Sequence, residues 1–162
     1  MQIGARGGTI GDMKHRNAIR VVLGALAISA VVPGVWATLA PHSFYTDFPG
    51  AAHWVDRLPP YNEHLVTDAG GFYLAFAVLF TWAAVSLRRA LVVPACVAWS
   101  VFSAVHLAYH ATHLAPFPTA EAVGEIAALA VVLALPIGVL TLLRQESAAA
   151  CGSEQVFVRG RA

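Results

Sequence analysis

Residues 126–143 read IAALAVVLALPIGVLTLL, without one charged side chain, between Glu125 and Arg144. Three further uncharged runs come earlier in the chain, at residues 21–46, 69–87 and 90–120. Because an α-helix rises about 1.5 Å per residue, about 20 residues cross a hydrocarbon core of roughly 30 Å. The sequence therefore predicts an all-α fold, a four-helix transmembrane bundle, with spans near residues 18–40, 65–87, 91–113 and 120–143.

The composition points to the same class of protein. Of 162 residues, 58% are hydrophobic and 12% charged, and the mean hydropathy is +0.66. Too little polar surface remains to cover a water-soluble globule of this size, so a soluble enzyme is disfavoured. Ten Lys and Arg against nine Asp and Glu give no basic excess, which argues against a nucleic-acid partner. The expected partner is the lipid bilayer.

The positions of the cations predict the orientation of the bundle. Lys and Arg accumulate on the cytoplasmic side of a membrane. They precede the first span, follow the fourth, and fill the turn at Arg88 and Arg89, whereas Arg57 is the single cation of the opposite loop. We therefore expect both termini in the cytoplasm and a multi-pass protein of the plasma (inner) membrane. The expected segments are a disordered tail at 1–16, a membrane domain at 17–144 with an outer loop at 41–64, and a disordered tail at 145–162.

The outer loop is too aromatic for a plain linker. Its Phe, Tyr and Trp side chains are of the kinds that settle at the headgroup level of a bilayer, and its prolines rule out one continuous helix. We expect it to lie at the interface, with a short amphipathic helix near residues 51–58 above the bundle.

Three histidines follow helical spacing in the third span. His106, His110 and His113 stand at i, i+4 and i+7, so at about 100° per residue they lie within roughly 60° of one another on one helix face. Ionisable groups within a span are costly unless they face protein or water. We therefore expect the three imidazoles to point into the bundle.

Further ionisable side chains lie at the same membrane end. His64 and Asp68 are four residues apart at the start of the second span, and Glu125 stands in the fourth. Together with the three histidines they predict a site for a divalent metal, Zn, Fe, Cu or Mn, and less readily for haem. Two alternatives stay open: ion pairs that tie helix ends together, and proton sensing by histidines that titrate near neutral pH.

Several short segments carry a family resemblance: FYTDFPG at 44–50, HWV at 53–55, PYNEH at 60–64, DAG at 68–70 and HLAYH at 106–110. With them the chain resembles small four-span membrane proteins of actinobacteria that are DoxX-like in layout. The resemblance covers roughly the middle two thirds of the chain and implies the four-helix architecture. It implies no reaction and assigns no functional residue.

Two functions from different classes follow from these observations. The first is a membrane protein whose outward-facing histidine and carboxylate cluster binds a metal or haem and acts on a small or lipid-phase molecule. The second is a non-enzymatic accessory or structural subunit, packed against a membrane-protein partner or another copy of itself. The sequence leaves open whether the protein is an enzyme.

Overall fold

The computed structural model describes the backbone of residues 15–159 and the side chains of residues 15–50 and 52–148. This part of the chain is helical and contains no strand. Residues 1–14 of the predicted tail at residues 1–16 lie outside the described residues. The helices are α1 Arg16–Leu39, α2 Pro41–Asp47, α3 Glu63–Ser86, α4 Arg89–Thr112 and α5 Thr119–Arg159, with a 3₁₀ turn at Gly50–Ala52.

Four of these helices, α1, α3, α4 and α5, are long and apolar enough to cross a membrane. They coincide with the four predicted spans to within a few residues, except at the end of α5. The all-helical fold and the four apolar spans are thereby confirmed, and they indicate a multi-pass protein in a lipid bilayer. The helix α5 continues to Arg159, whereas the sequence predicts a disordered tail from residue 145.

The helices α1 and α3 pack closely through glycine. A Cβ atom on Gly70 would lie 2.5 Å from Oγ1 and 2.8 Å from the backbone nitrogen of Thr38. A Cβ atom on Gly34 would lie 3.0 Å from the side chain of Leu74. Small residues let helix backbones approach where lipid removes the apolar driving force between helices. Gly70 therefore fixes which face of α3 is turned towards α1.

A filled apolar core occupies one half of the bundle. Ile19 and Leu23 at the start of α1 belong to one buried cluster with Val92 of α4 and Leu143 of α5, and all four are fully or almost fully buried. This half adjoins the turn at residues 87–88, and we call it the turn end. At that end Arg20 Nε donates to the carbonyl of Ala84, at 3.1 Å. The opposite half, where residues 40–62 and 113–118 connect the helices, is called the loop end.

The loop between α1 and α3 folds differently from the prediction. The helix expected near residues 51–58 is wrong: the loop's α-helix is α2, and residues 50–52 form a 3₁₀ turn. Pro41 explains the earlier start, because proline at the first helical position has its φ angle preset and loses no hydrogen bond there. Trp36 of α1 packs edge-on against Phe44 and Phe48, which holds α2 over the loop end.

Candidate functional site

One face of α4 runs from the core into the loop end of the bundle. Trp99 is fully buried and Ser103 almost so. One turn further on, the ring of His106 stacks on that of Phe102, with centroids 5.5 Å apart. After one more turn, the ring of His110 lies 4.6 Å from that of His106. The first two histidines of the predicted stripe therefore follow the inward side of α4.

A carboxyl group of α5 meets this stripe. Nδ1 of His110 lies 2.7 Å from Oε1 of Glu125, and the two side chains are 14% and 2% exposed. Nδ1 of His110 and Oε2 of Glu125 both lack a hydrogen-bond partner. A carboxyl group buried at this depth is costly, and such groups in membrane helices usually serve a function. His110 and Glu125 are therefore the polar centre of the candidate site.

The other predicted site residues lie apart from this centre. His64 and Asp68 form their own contact of 3.3 Å on the surface of α3, with side chains 82% and 62% exposed. His113 lies just beyond the last residue of α4, where its ring stacks on Tyr109 at 4.1 Å and its Nδ1 lies 2.8 Å from that residue's carbonyl oxygen. The structure thus brings together His106, His110 and Glu125 and leaves the other three outside.

The position of Gly70 explains why α3 turns its polar pair outward. At about 100° per residue, Asp68 lies roughly 160° around the helix from Gly70, and His64 roughly 120°. Since Gly70 is held against Thr38 of α1, both side chains point away from that contact.

Ligand-type side chains do not converge into a ready metal centre. Between residues 15 and 148, no group of three or more His, Cys, Asp or Glu side chains is arranged to hold a metal ion. A haem clamped between His64 and a histidine of α4 would need His64 to reach inward, but its side chain is mostly exposed on α3. The predicted metal site stays a prediction.

A cavity of about 450 Å³ lies beside the pair formed by His110 and Glu125. It occupies the loop end of the bundle, between all four spans, and Trp99 separates it from the filled core. Its walls are mainly apolar. The lining residues that matter below are seven aromatic side chains, Phe44, Phe48, Trp54, Tyr73, Trp99, Phe102 and Tyr109, together with Ser103, His106, His110, Glu125, Ala69 and Ala128.

Several polar atoms in these lining residues have no hydrogen-bond partner. They are the indole nitrogens of Trp54 and Trp99, the hydroxyl of Ser103, Nδ1 of His110 and Oε2 of Glu125. Buried polar atoms are normally paired, so each exception calls for an explanation. Their grouping around one apolar cavity makes that cavity the candidate functional site.

The cavity reaches the outer surface of the bundle. Tyr109 of α4 is 50% exposed, and Ala69 of α3 and Ala128 of α5 are exposed as well, although all three line the cavity. In a membrane, the surface around these spans faces acyl chains. The cavity therefore borders the surface that acyl chains would cover.

The loop between α1 and α3 roofs the cavity. Trp54, Val55 and Leu58 line it from above. Next to them, Arg57 forms a 2.7 Å ion pair with Glu121 in the first turn of α5, and its guanidinium lies 5.7 Å from the centre of the Phe117 ring. These contacts fix the roof to the connection between α4 and α5.

A second polar network holds the roof to α1. Nε1 of Trp36 donates to Oγ of Ser43 at 3.1 Å, and that hydroxyl donates to Oδ2 of Asp47 at 2.9 Å. The hydrogen bond from Ser43, followed by one from Thr46, lowers the pKa of Asp47 below its ordinary value. The carboxylate therefore stays ionised to a lower pH than an ordinary aspartate and continues to accept the hydrogen bond from Ser43.

Sequence reasoning missed most of the cavity. It finds the α4 stripe and Glu125, because helical spacing is visible in the sequence. For the roof, the sequence offers one usable signal. The loop contains a single arginine, Arg57, and the first turn of the fourth span contains an acid, Glu121, with which it can pair. The walls contributed by α1 and α2 carried none, since apolar side chains facing lipid and facing a cavity are alike in sequence.

No protein-family model matches the chain, and no curated protein or solved structure matches it at a significant level. The resemblance to DoxX-like membrane proteins stays a prediction.

Proposed function

We propose that this protein binds a small, largely apolar molecule taken from the lipid phase, and that the molecule's polar end lies against His110 and Glu125. The observation that carries the proposal is the 450 Å³ aromatic cavity with a carboxyl group only 2% exposed beside it. Ligand pockets are typically about 300–1,000 Å³ in volume, mostly apolar, with a few placed polar groups. This cavity has all three properties.

The energetics favour a ligand over a purely structural role for the polar pair. An ionisable group at the centre of a bilayer costs roughly 2.5–3.5 kcal/mol on insertion scales, and less nearer the surface. The ion pairs of the structural alternative would leave the acid satisfied, yet Oε2 of Glu125 has no partner. A ligand that supplies a hydrogen-bond or charge partner offsets this cost.

The finer topology belongs to the same proposal. We place the termini in the cytoplasm and the roof of the cavity outside, in the plasma membrane. The support is the distribution of arginines: Arg88 and Arg89 lie at the turn end, whereas Arg57 alone lies in the roof. The cavity then opens towards the outer leaflet.

Two other functions are weaker alternatives. For a divalent metal, His106, His110 and Glu125 lie near one another, but these side chains would have to rearrange before they could coordinate an ion. An accessory subunit would need no cavity with unpartnered polar atoms, and it predicts that purification in a mild detergent recovers a fixed partner protein.

The proposal is tested by filling the cavity and measuring the binding of an uncharged apolar probe. The purified full-length chain in lipid nanodiscs is titrated with N-phenyl-1-naphthylamine, with empty nanodiscs as the baseline. We expect saturable fluorescence above that baseline for the wild type. In Ala128→Trp the indole occupies the cavity, so the saturable component is expected to disappear.

The matched control is Ala127→Trp, the same change one residue away. Ala127 is exposed on α5 and does not line the cavity, so this variant is expected to bind the probe like the wild type. Equal binding by both variants, or no saturable binding by the wild type, contradicts the proposal.

A further inference from the structure

The charges around the cavity have one sign. Among the lining residues of the described chain there is one carboxyl group, Glu125, and no Lys or Arg. The nearest fixed cation of the loop end, Arg57, is engaged by Glu121 and does not line the cavity. Building on the proposed function, we infer that the ligand class is lipophilic organic cations, such as quaternary ammonium compounds, with Glu125 as counter-ion.

The geometry of Glu125 suits a counter-ion. Its Oε1 lies against His110, whereas its Oε2 is buried without a partner. A carboxylate removed from water interacts strongly with a cation because the surrounding dielectric is low. A cation beside Oε2 therefore offsets the cost of burying the carboxylate through a charge–charge interaction. A neutral ligand can offset that cost only through one hydrogen bond.

The aromatic walls favour the same charge. The face of an aromatic ring attracts a cation, most strongly for Trp, and quaternary ammonium groups are bound in proteins by aromatic cages. Seven such side chains line this cavity, and the two indoles, Trp54 and Trp99, lie on its roof and on its core side.

The remaining titratable groups at the cavity do not reverse this preference. His106 and His110 are the imidazoles that line it, and Tyr73 and Tyr109 carry its phenol groups. A bound cation repels an imidazolium, so the ligand stabilises the neutral form of both histidines. An anionic ligand would instead meet the carboxylate of Glu125 with no arginine or lysine to offset the repulsion.

The inference is tested with two ligands of the same shape. Benzyltrimethylammonium carries a positive nitrogen where neopentylbenzene has a neutral carbon. The affinity of each is measured by displacement of N-phenyl-1-naphthylamine from the wild type and from Glu125→Gln in nanodiscs. We expect the substitution to weaken binding of the cation at least about tenfold and to leave the neutral isostere unchanged. Comparing the wild type with the variant for each ligand separately cancels the partition of that ligand into lipid.

The control is Glu63→Gln, which removes an exposed carboxylate in the first turn of α3 and is expected to change neither affinity. Thermal unfolding of each variant checks that it is folded. If Glu125→Gln does not fold, it is replaced by Glu125→Asp, which keeps the charge and should bind the cation with an affinity close to that of the wild type. Equal weakening of both ligands, or no displacement of the probe by the cation, overturns the inference and leaves the proposed function standing. Absence of probe binding in the wild type overturns both.

Discussion

The substitution Gly70→Ala tests how closely the cavity depends on the contact between α1 and α3. The added methyl group would stand 2.8 Å from the backbone nitrogen of Thr38, and moving that contact out to 3.4 Å requires a shift of about 0.6 Å. A backbone atom cannot swing aside, so one helix must move against the other. Overpacking of this kind costs typically about 1–3 kcal/mol, against which alanine regains about 0.5–1 kcal/mol of helix propensity. We therefore expect a net loss of about 1 kcal/mol, and at most about 2.5 kcal/mol, in the free energy of unfolding.

The assay is reversible unfolding in mixed micelles of mild detergent and sodium dodecyl sulfate, followed by tryptophan fluorescence. Gly71→Ala is the matched control, because a Cβ atom on Gly71 would meet nothing within 4 Å; it is expected to be neutral or slightly stabilising. Since Ala37, next to Thr38, lines the cavity, Gly70→Ala is also expected to weaken probe binding. If the two alanine variants have the same stability, the close contact does not hold α3 in its orientation.

Three further predictions concern the roof and the histidines. Arg57→Gln removes a partly exposed ion pair with Glu121, so we expect a loss of only about 0.2–1 kcal/mol but faster amide exchange at residues 54–58, by mass spectrometry; unchanged exchange would show that the pair does not fix the roof. Ser43→Ala removes the main cause of the lowered pKa of Asp47, so NMR titration should find that pKa closer to its ordinary value. The stabilisation linked to this lowered pKa is present above the pKa of Asp47 in the unfolded state and is lost as the pH falls through its pKa in the folded state. As the pH rises through this acidic range, the free energy of unfolding should therefore increase more for the wild type than for the variant. The metal interpretation predicts a stoichiometric metal ion in the wild type that is lost from His106→Ala/His110→Ala, by elemental mass spectrometry; no metal in either protein rejects it.

The spans were predictable because hydrophobic length is a one-dimensional property. Each uncharged run is long enough to cross a bilayer, and the structure contains a helix over each. The extension of α5 beyond residue 144 was not predictable. The residues after Arg144 carry no apolar periodicity, although they continue the helix. The loop helix was predicted at the wrong position. The prolines of the loop show where a helix is interrupted, but the sequence does not show that a helix begins at Pro41.

The candidate site was predictable only where one helix carries the pattern. His106 and His110 share a stripe of α4, and Glu125 lies at the matching depth of α5. Whether α3 turns Asp68 inward depends on its rotation, and a span that is apolar on all sides has no polar face to set that rotation. The contact at Gly70 sets it, and the partner of that contact, Thr38, is known only once the helices are packed.

The central claim, that a molecule from the lipid phase reaches Glu125, is tested most directly by photolabelling. The wild type in nanodiscs is irradiated with a neutral alkyl diazirine that partitions into lipid, with and without excess N-phenyl-1-naphthylamine, and the labelled residues are identified by mass spectrometry. We predict label on Glu125, saturable and removed by the competitor, above a non-saturable background on lipid-facing positions such as Val101 and Val105. Label confined to the lipid-facing positions, unaffected by competitor, would contradict the account.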